Sequence, residues 1–294
     1  LEAVSKTFFD DLRLARGEVH VYATPRRLVL WAKQVAPMQT DVETIEKGPP
    51  ASRAFDAQGK PTKAAEGFAR GKGVDVSDLR VEQIDGGEYV VATVKNVGRP
   101  AVEVLAEAFP DVIANIKFGK TMRWNDSGVA FSRPIRWIVA LFGGAVIPFD
   151  YAGINSGAVT RGLRPFGSQP HLISDTKGYF DALKQQGIIV SREDRREAIV
   201  KQIKALADEV GGNIPDNPGL LDEVTNLIEA PTALRGEFDA KYLELPRDVL
   251  VTVMRKHQRY FPLEDAKGEL MPYFITVRNG DGEHLDKVTY GNEH

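Results

Sequence analysis

The stretch Arg136–Phe149, which reads RWIVALFGGAVIPF, contains the longest apolar run of the chain. Residues Arg136–Phe142 have the length of a β-strand, and an apolar character on both faces is typical of a strand inside a sheet. Gly143 and Gly144 then predict a turn into a second strand over Ala145–Phe149. The stretch therefore predicts a β-hairpin whose first strand is central in a sheet.

The segments before this hairpin predict a mixture of strands and helices. Runs of β-branched and aromatic residues predict strands at Glu18–Tyr22, Leu28–Ala32, Val81–Ile84 and Tyr89–Lys95. Apolar side chains at helical spacing predict one helix over Thr62–Arg70 and another that begins at Pro100. The glycine and prolines of Lys47–Pro50 predict a loop, because these residues interrupt regular structure.

The segments after the hairpin predict helices followed by strands. Three helices are expected, over Ser174–Gln186, after the capping residue Ser191 and after Asn217. A further helix begins at Pro246, and strands follow at Tyr260–Leu263 and Tyr273–Val277. This mixture predicts an α+β fold with mostly antiparallel sheets. Two or more domains are expected from the length, an N-terminal α+β domain over 1–128 and a central α+β domain over 129–294.

The composition excludes several classes of protein. The chain of 294 residues has no cysteine, which rules out a disulfide scaffold, a thiolate metal site and a cysteine nucleophile. No apolar run approaches the roughly 18 residues of a membrane span, so no membrane partner is predicted. With 38 Lys and Arg against 41 Asp and Glu, the net charge of -3 argues against a protein that coats nucleic acid.

Charge is nevertheless distributed unevenly along the chain. Residues 116–164 contain seven basic and two acidic side chains, whereas residues 205–250 contain ten acidic and three basic ones. A basic segment followed by an acidic one predicts two surfaces with different partners. The alternative is that these charges pair with each other across the fold.

The sequence lacks the usual motifs of catalysis and metal binding. Gly119 and Lys120 resemble the end of a phosphate-binding loop, but Ala114 stands where that loop needs a glycine. No nucleophile elbow or dinucleotide-binding motif occurs, and no two of the five histidines have the spacing of metal ligands. We therefore predict no catalytic residue and no metal site.

Four clusters instead combine arginine with aromatic or polar residues, at Lys117–Trp124, Phe131–Trp137, Thr160–Arg164 and Met254–Phe261. Arginine and lysine bind phosphates, and aromatic rings stack on bases, so the clusters favour binding of RNA or nucleotides. The alternative is that they are ion pairs at strand ends beside core aromatics, and Trp137 in particular is expected in the core.

These clusters belong to a longer series of stretches that resembles one family, the β subunit of the bacterial two-subunit glycyl-tRNA synthetase. The matching stretches are Ala23–Leu28, Lys47–Pro50, Ala65–Arg70, Thr121–Trp124, Phe131–Leu141, Thr160–Gly162, Leu221–Pro231, Leu245–Phe261 and Gly291–Glu293. They follow in order from residue 23 to the end. Two positions depart from the family pattern: Leu163, where the family commonly has His, and His294, where it commonly has Arg.

The resemblance implies a tRNA-binding part of a cytoplasmic aminoacyl-tRNA synthetase. The family's enzyme is an α2β2 heterotetramer that attaches glycine to its tRNA with ATP and Mg, and the α subunit carries the active site. No cofactor and no DNA partner are implied for this chain. The residues expected to contact tRNA are Arg123, Arg133, Arg136, Arg161, Arg164, Arg255, Lys256, His257 and Arg259.

The resemblance also implies a domain plan. The central part resembles the tRNA-contacting, editing-like module of the phenylalanyl-tRNA synthetase β subunit. An HD-type domain and a C-terminal anticodon-binding domain are expected beyond residue 294.

Two other functions remain open for this part of the subunit. An editing-like module could hydrolyse misacylated tRNA, with Thr160 and His257 as the candidate groups in a cleft. A purely structural module could bind the α subunit through its apolar helices and through the acidic stretch that contains Asp222 and Glu223.

Overall fold

A computed structural model describes residues 1–293, so His294 lies outside the described residues. The helices are α1 Glu2–Asp11, α2 Ala51–Ala54, α3 Lys63–Lys72, α4 Ala101–Ala114, α5 Thr176–Gln185, α6 Arg192–Asp208, α7 Pro218–Leu227, α8 Arg247–Thr252 and α9 Leu285–Glu293. The α8 helix continues as a π-helical segment over Val253–Gln258. Within residues 1–293, none of the helices has both the length and the apolar character needed to cross a bilayer.

The strands are β1 Val19–Thr24, β2 Arg27–Ala32, β3 Val42–Pro50, β4 Arg80–Ile84, β5 Gly87–Asn96, β6 Ile138–Val139, β7 Leu141–Phe142, β8 Ala145–Val146, β9 Asp150–Tyr151, β10 Ile154–Gly157, β11 Val159–Arg161, β12 Pro170–Leu172, β13 Pro231–Glu237, β14 Phe261–Glu264 and β15 Leu270–Asn279. They form small sheets with the orders β1-β2, β3-β5-β4, β6-β10-β9, β7-β8, β11-β12 and β13-β15-β14. The pairing of β6 with β10 is parallel, whereas the other strand pairs described are antiparallel. The predicted α+β class with mostly antiparallel sheets is confirmed.

The chain divides into two compact units. Within the described residues, the larger comprises Leu1–Ser5, Val19–Ala32 and 106–293, and the smaller comprises Lys6–Glu18 and Lys33–Leu105. The predicted boundary between 1–128 and 129–294 falls within the larger unit, and as a division between domains of the family it stays a prediction.

The smaller unit packs α2 and α3 on the sheet β3-β5-β4. The side chain of Thr62 accepts a hydrogen bond from the Ala64 amide and so begins α3, while Gly73 ends it in the left-handed conformation with a φ of 70°. The helix and the β4–β5 hairpin are both found where the sequence predicts them. Their core contains Ala54, Ala65, Ala69, Leu79, Val90 and Ala92.

The prediction of a loop at Lys47–Pro50 is wrong, because these residues form the end of β3. β3 lies at the edge of its sheet and has no neighbouring strand on its outer side. A proline, which lacks an N–H, can therefore stand in this strand without removing a hydrogen bond between strands. The register shifts between Lys47 and Pro50, which accommodates the two prolines. The proline signal was therefore real but indicated an irregular edge strand.

The larger unit packs α6 and α7 on the sheet β13-β15-β14. Ser191 accepts a hydrogen bond from the Asp194 amide at the start of α6, and the Asn217 side chain accepts one from the Leu220 amide at the start of α7. Both predicted helices are confirmed. Their apolar faces meet the sheet in a core of Ile199, Ile203, Ala207, Leu220, Val224, Ile228, Phe261, Leu263 and Ile275.

The predicted hairpin over Arg136–Phe149 is confirmed only in its turn. β7 and β8 pair across the glycines at 143 and 144, but each has only two residues. The predicted first strand is divided into two short strands, β6 and β7. β6 lies at the edge of the sheet β6-β10-β9 and not at its centre. An apolar pattern indicates that side chains are buried, but it does not indicate that the strand has neighbours on both sides. Trp137, just before β6, packs against arginine side chains instead of between strands.

The β1–β2 hairpin packs on α5 through aromatic side chains. Phe180 of α5 meets Tyr22 at a ring-centroid distance of 5.9 Å and Trp31 at 5.0 Å, both edge to face. A small apolar core that includes Leu163 and Leu183 continues from this contact. The hairpin is thereby held against the segment around residue 163, which leads to the candidate site.

Gly236 provides a test of packing in the larger sheet. A Cβ built at Gly236 would come within 2.3 Å of the Cζ atom of the buried Phe274 ring, which lies opposite in β15. Gly236→Ala should lower the free energy of unfolding by about 1–3 kcal/mol, because the ring must move in a close-packed core. Urea unfolding of the chain measures the change.

Gly67→Ala is the matched control. No atom outside the helix backbone lies within 4 Å of a Cβ built at this position in α3, so alanine should raise the free energy of unfolding by up to about 1 kcal/mol. A loss at Gly67 as large as that at Gly236 would contradict the packing explanation.

Candidate nucleic-acid interface

The turn between β1 and β2 presents two consecutive arginines. The Thr24 hydroxyl oxygen accepts hydrogen bonds from the backbone amides of Arg26 at 3.2 Å and Arg27 at 3.1 Å, which fixes the turn around Pro25. Thr24 and Arg27 also close the β1–β2 ladder. The two guanidinium groups therefore start from a rigid backbone.

Both guanidinium groups bind the carboxylate of Glu229, whose side chain has no exposed surface. Arg26 Nη1 lies 3.3 Å from Glu229 Oε1, Arg27 Nη1 pairs with Oε2, and the Thr24 hydroxyl donates to Oε2 at 2.9 Å. The Arg27 side chain is 2% exposed and that of Arg26 is 17% exposed. This group of four side chains, Thr24, Arg26, Arg27 and Glu229, is called the arginine–glutamate cluster below.

The two arginines also bind the end of β11 and the connection that leads from it to β12. Arg26 Nη1 donates to the Gly162 carbonyl at 2.9 Å, and Arg26 Nη2 donates to the Ser168 hydroxyl at 2.7 Å. Arg27 Nη2 donates to the Arg161 carbonyl. The cluster therefore holds the backbone directly after the Arg161 side chain.

Trp137 packs beside the same two arginines. The Cζ atoms of Arg26 and Arg27 each lie 5.6 Å from the centroid of the Trp137 ring, within the range of cation–π attraction. The expectation of Trp137 as a buried core residue is met only partly, because the ring also lines a groove.

This groove runs along β6, β10 and β11 and has a volume of about 180 Å³. Its apolar lining comes from Trp137, Ile138, Ile154 and Val159, and its polar lining includes Arg136, Asn155 and Arg161. Apolar and aromatic surface between two arginines suits a ligand that is both planar and anionic, such as a nucleotide.

Positive charge at the groove exceeds the negative charge around it. Among the described residues, Arg136, Arg161 and Arg164 form no ion pair, and Glu229 is shared by two arginines. Burial lowers the pKa of Arg26, the Glu229 carboxylate opposes that effect, and the positive charges of Arg27 and Arg164 lower the pKa further. An anion at the groove would relieve this repulsion.

Arg195 supports the cluster from the α6 side. Its side chain is 1% exposed and donates to the carbonyls of Thr225 at 2.9 Å, Ile189 at 2.7 Å and Ala23 at 3.1 Å. Burial lowers the pKa of Arg195, and the charge of Arg192 acts in the same direction. This buried cation therefore relies on carbonyl dipoles, one of which belongs to β1.

The structure brings together some of the predicted tRNA-binding residues. Arg136 and Arg161 line the groove, and Arg164 lies near enough to influence Arg26. Arg123 is exposed and donates to the Gly128 carbonyl at 3.0 Å, and Arg133 is exposed on the segment before the groove. Their contact with tRNA stays a prediction.

The fourth cluster lies apart from the groove lining. Arg255, Lys256 and His257 belong to the π-helical segment, and Arg259 ends that segment in the left-handed conformation with a φ of 57°. Arg259 Nε lies 2.9 Å from Glu223 Oε1, so at this position the alternative of an internal ion pair holds. A contact of this cluster with tRNA also stays a prediction.

The acidic stretch pairs with basic residues elsewhere in the larger unit. Asp222 lies 3.1 Å from Arg192 Nη2 and 3.6 Å from Arg196 Nε, and Glu229 is buried in the cluster. Within residues 1–293, no three His, Asp or Glu side chains converge as metal ligands would. The surface formed by the acidic stretch therefore carries less unpaired negative charge than the count of its acidic residues suggests.

Sequence reasoning missed Arg26, Arg27 and Glu229. Each lies in a stretch that was recognised as typical of the family, but none was expected to belong to a site. One signal was available: Glu229 stands between Ile228 and Ala230 just before a strand, and a charged residue in an apolar context needs a partner.

Glu229→Gln tests the energetic weight of the cluster. The change leaves two buried guanidinium groups without a counter-charge, so the free energy of unfolding should fall by about 3–5 kcal/mol. Glu209→Gln is the matched control, because Glu209 pairs with Arg235 at 2.8 Å but is 58% exposed, and its loss should be at most about 1 kcal/mol. Equal losses in urea unfolding of the two variants would contradict this assignment.

Tyr179 provides a pH-dependent test beside the cluster. Burial raises the pKa of Tyr179 from 10.0 to about 12, and Arg27 opposes part of that effect. The folded state then holds the phenol proton more tightly than the unfolded state, so stability is complete below pH ~10 and falls by about 1.4 kcal/mol per pH unit up to pH ~12.

Tyr179→Phe should remove this alkaline loss, because phenylalanine has no proton to release. Urea unfolding at a series of pH values above 9 compares the two proteins, with Tyr242→Phe at an exposed tyrosine as the control. The same alkaline slope in the wild type and in Tyr179→Phe would be inconsistent with a buried neutral phenol.

The whole chain is similar to one family of proteins. A family model described as glycyl-tRNA synthetase beta subunit matches residues 1–294. Curated relatives named glycine–tRNA ligase beta subunit are 46% identical over 293 residues in Desulfitobacterium hafniense (strain DSM 10664 / DCB-2), 45% in Moorella thermoacetica and 45% in Geobacter metallireducens. Each match covers 100% of this chain but only 42% or 43% of the relative, so the chain spans about two fifths of their length. By its sequence, the chain therefore belongs to the glycyl-tRNA synthetase β-subunit family.

Proposed function

We propose that this chain is a tRNA-binding part of a glycine–tRNA ligase and that its groove contacts the RNA. The observation that carries the proposal is a groove with Trp137 in its wall, lined by Arg136 and Arg161, which form no ion pair within the described residues. Arg164, which also forms no ion pair there, lies near enough to influence Arg26. Membership of the family supports the ligase, and the charge and shape of the groove support RNA as the ligand.

The groove combines the two elements of RNA recognition. Guanidinium groups bind phosphate oxygens in a planar, charge-assisted geometry, and phosphate contacts provide most of the affinity at low salt. Aromatic and apolar side chains accept unstacked bases with little preference for sequence. A surface of this kind binds tRNA and leaves adenylate chemistry to another site.

The remaining parts of the proposal follow from the family. An α subunit would carry the active site, use ATP and Mg and form an α2β2 assembly with this subunit in the cytoplasm, with tRNA for glycine as the substrate. The resemblance of the central part to the editing-like module of the phenylalanyl-tRNA synthetase β subunit belongs to the same proposal. It rests on the resemblance of the chain to the family.

The two alternative functions receive different support. Thr160, a candidate group of an editing hydrolase, is fully buried in β11, whereas His257 is exposed in the π-helical segment, so the geometry does not favour a shared catalytic cleft. A role in binding the α subunit is favoured by the exposed apolar side chains Val249 and Val253, which lie one helical turn apart. Such a contact is compatible with RNA binding at the groove.

Arg136→Ala and Arg161→Ala test the RNA contact. We expect the wild-type slope of log Kd against log salt to have a magnitude of roughly 3–5, and each variant should reduce that magnitude by about 1, because each removes about one phosphate contact. Binding of tRNA to the full-length β subunit assembled with its α subunit is measured by fluorescence anisotropy over a series of KCl concentrations.

Arg53→Ala is the control for this experiment. Arg53 is exposed and forms no ion pair within the described residues, but it lies in the smaller unit and not in the groove. Its salt slope should equal that of the wild type. An interaction independent of salt, or equal slopes in all four proteins, would overturn the proposed RNA contact.

A further inference from the structure

We infer that Arg26 is a positioning residue for RNA binding: it holds the connection between β11 and β12 so that Arg161 and Arg164 face the RNA. The inference rests on the proposed function of the groove. Arg26 acts here through the backbone of other residues and is not itself a phosphate ligand.

The contacts of Arg26 show what it holds. Its Nη1 atom binds the Gly162 carbonyl at 2.9 Å, between Arg161 and Arg164 in sequence, and its Nη2 atom binds the Ser168 hydroxyl at 2.7 Å. The other side of the guanidinium is anchored on the buried Glu229 carboxylate at 3.3 Å. The connection is therefore tied at two points to a group that is fixed in the protein interior.

The connection needs such a support because its backbone is strained. Ser168 has a φ of 53°, in the left-handed region that non-glycine residues rarely adopt, directly after Gly167 with a φ of 72°. The Ser168 hydroxyl is the group that accepts the bond from Arg26. This bond offsets the backbone strain and selects one conformation of the turn.

Backbone hydrogen bonds and one close contact restrict the conformations that the connection between β11 and β12 can adopt. The Gly162 amide donates to the Gln169 carbonyl at 2.8 Å, and the Ser168 amide donates to the Leu163 carbonyl at 3.0 Å. A Cβ at Gly162 would lie 2.9 Å from His171 Nε2, so the backbone has no free space on that side. Loss of the Arg26 bonds would therefore open the turn outward, which displaces the Arg164 side chain.

A direct contact of Arg26 with phosphate is disfavoured by its surroundings. Both terminal nitrogens donate within the protein, the Trp137 ring lies 5.6 Å away, and only 17% of the side chain is exposed. Lysine could not replace it, because one ammonium group cannot span two acceptors and a carboxylate in the fixed geometry of a planar fork.

The test uses Arg26→Met in the full-length β subunit assembled with its α subunit. Methionine retains an unbranched side chain and leaves Glu229 paired with Arg27 and Thr24. The Kd for tRNA should rise about three- to tenfold, the effect of losing one or two hydrogen bonds that fix the binding conformation. The salt slope should stay close to that of the wild type, because no phosphate ligand is removed.

Arg235→Met is the matched control. Arg235 makes the same three kinds of contact as Arg26: an ion pair with Glu209 at 2.8 Å, a bond to a carbonyl, and an approach of 5.7 Å to the Tyr273 ring. It does not touch the connection, so its variant should leave the Kd for tRNA unchanged. Glycine activation without tRNA should equal that of the wild type in Arg235→Met.

A double variant separates positioning from independent action. Arg26→Met combined with Arg161→Ala should weaken binding by clearly less than the product of the single effects, because the ordering of the connection by Arg26 matters less when Arg161 makes no contact with the RNA. If Arg26→Met fails to assemble, Ser168→Ala removes one of the two bonds and should raise the Kd about two- to fivefold with an unchanged slope.

Each contrary result has its own meaning. A salt slope that falls as much in Arg26→Met as in Arg161→Ala would make Arg26 a direct ligand and overturn the inference. An unchanged Kd with a lowered melting temperature would reduce Arg26 to a structural residue and also overturn it. If Arg136→Ala and Arg161→Ala leave tRNA binding intact, the proposed function itself fails, whatever Arg26→Met does.

Discussion

A single carboxylate that is cut off from water governs the arrangement of the larger unit. Glu229 cannot stay charged in the interior without partners, and its partners are two guanidinium groups and a hydroxyl from the β1–β2 turn, some 200 residues away in sequence. The same guanidinium groups extend to the carbonyls of Arg161 and Gly162. Three distant segments must therefore meet at one point with a fixed geometry, and small shifts at any one of them would leave a buried charge uncompensated.

The groove and the buried ionic group are linked by Trp137, which lines the groove and packs beside Arg26 and Arg27. Two cations share one anion, so the cluster keeps an excess of positive charge in surroundings of low dielectric constant, where the field is screened weakly. Arg136, Arg161 and Arg164 add to that field at the surface. Under the proposed function, an incoming polyanion would supply the missing negative charge, so the feature that costs stability in the free protein would favour association with RNA.

Local signals predicted much of the fold, whereas the site depended on contacts distant in sequence. Thr62, Ser191 and Asn217 cap helices where their residue types indicate, because capping involves only the next turn of the chain. The apolar run after Arg136 predicts a central strand, and this prediction is wrong, because burial by arginine side chains and burial between strands leave the same pattern in sequence. The residue types of Arg136 and Arg161 are enough to predict a contact with tRNA, which stays a prediction. Arg26 and Glu229, in contrast, are significant only as a pair, and a single sequence does not show which charged side chains meet.

The distribution of charge along the chain also fails to show which charges the fold pairs. Counted along the chain, residues 205–250 are strongly acidic, yet Asp222 is paired with Arg192 and Arg196, and Glu229 faces no solvent at all. The positive charge of the basic segment 116–164 is not compensated in the same way, because Arg136, Arg161 and Arg164 have no ion-pair partner in the described structure. A near-neutral protein can therefore present a strongly cationic groove, since folding cancels charges selectively. What determines the character of a surface is which charges the fold leaves unpaired, and here these include Arg136, Arg161 and Arg164.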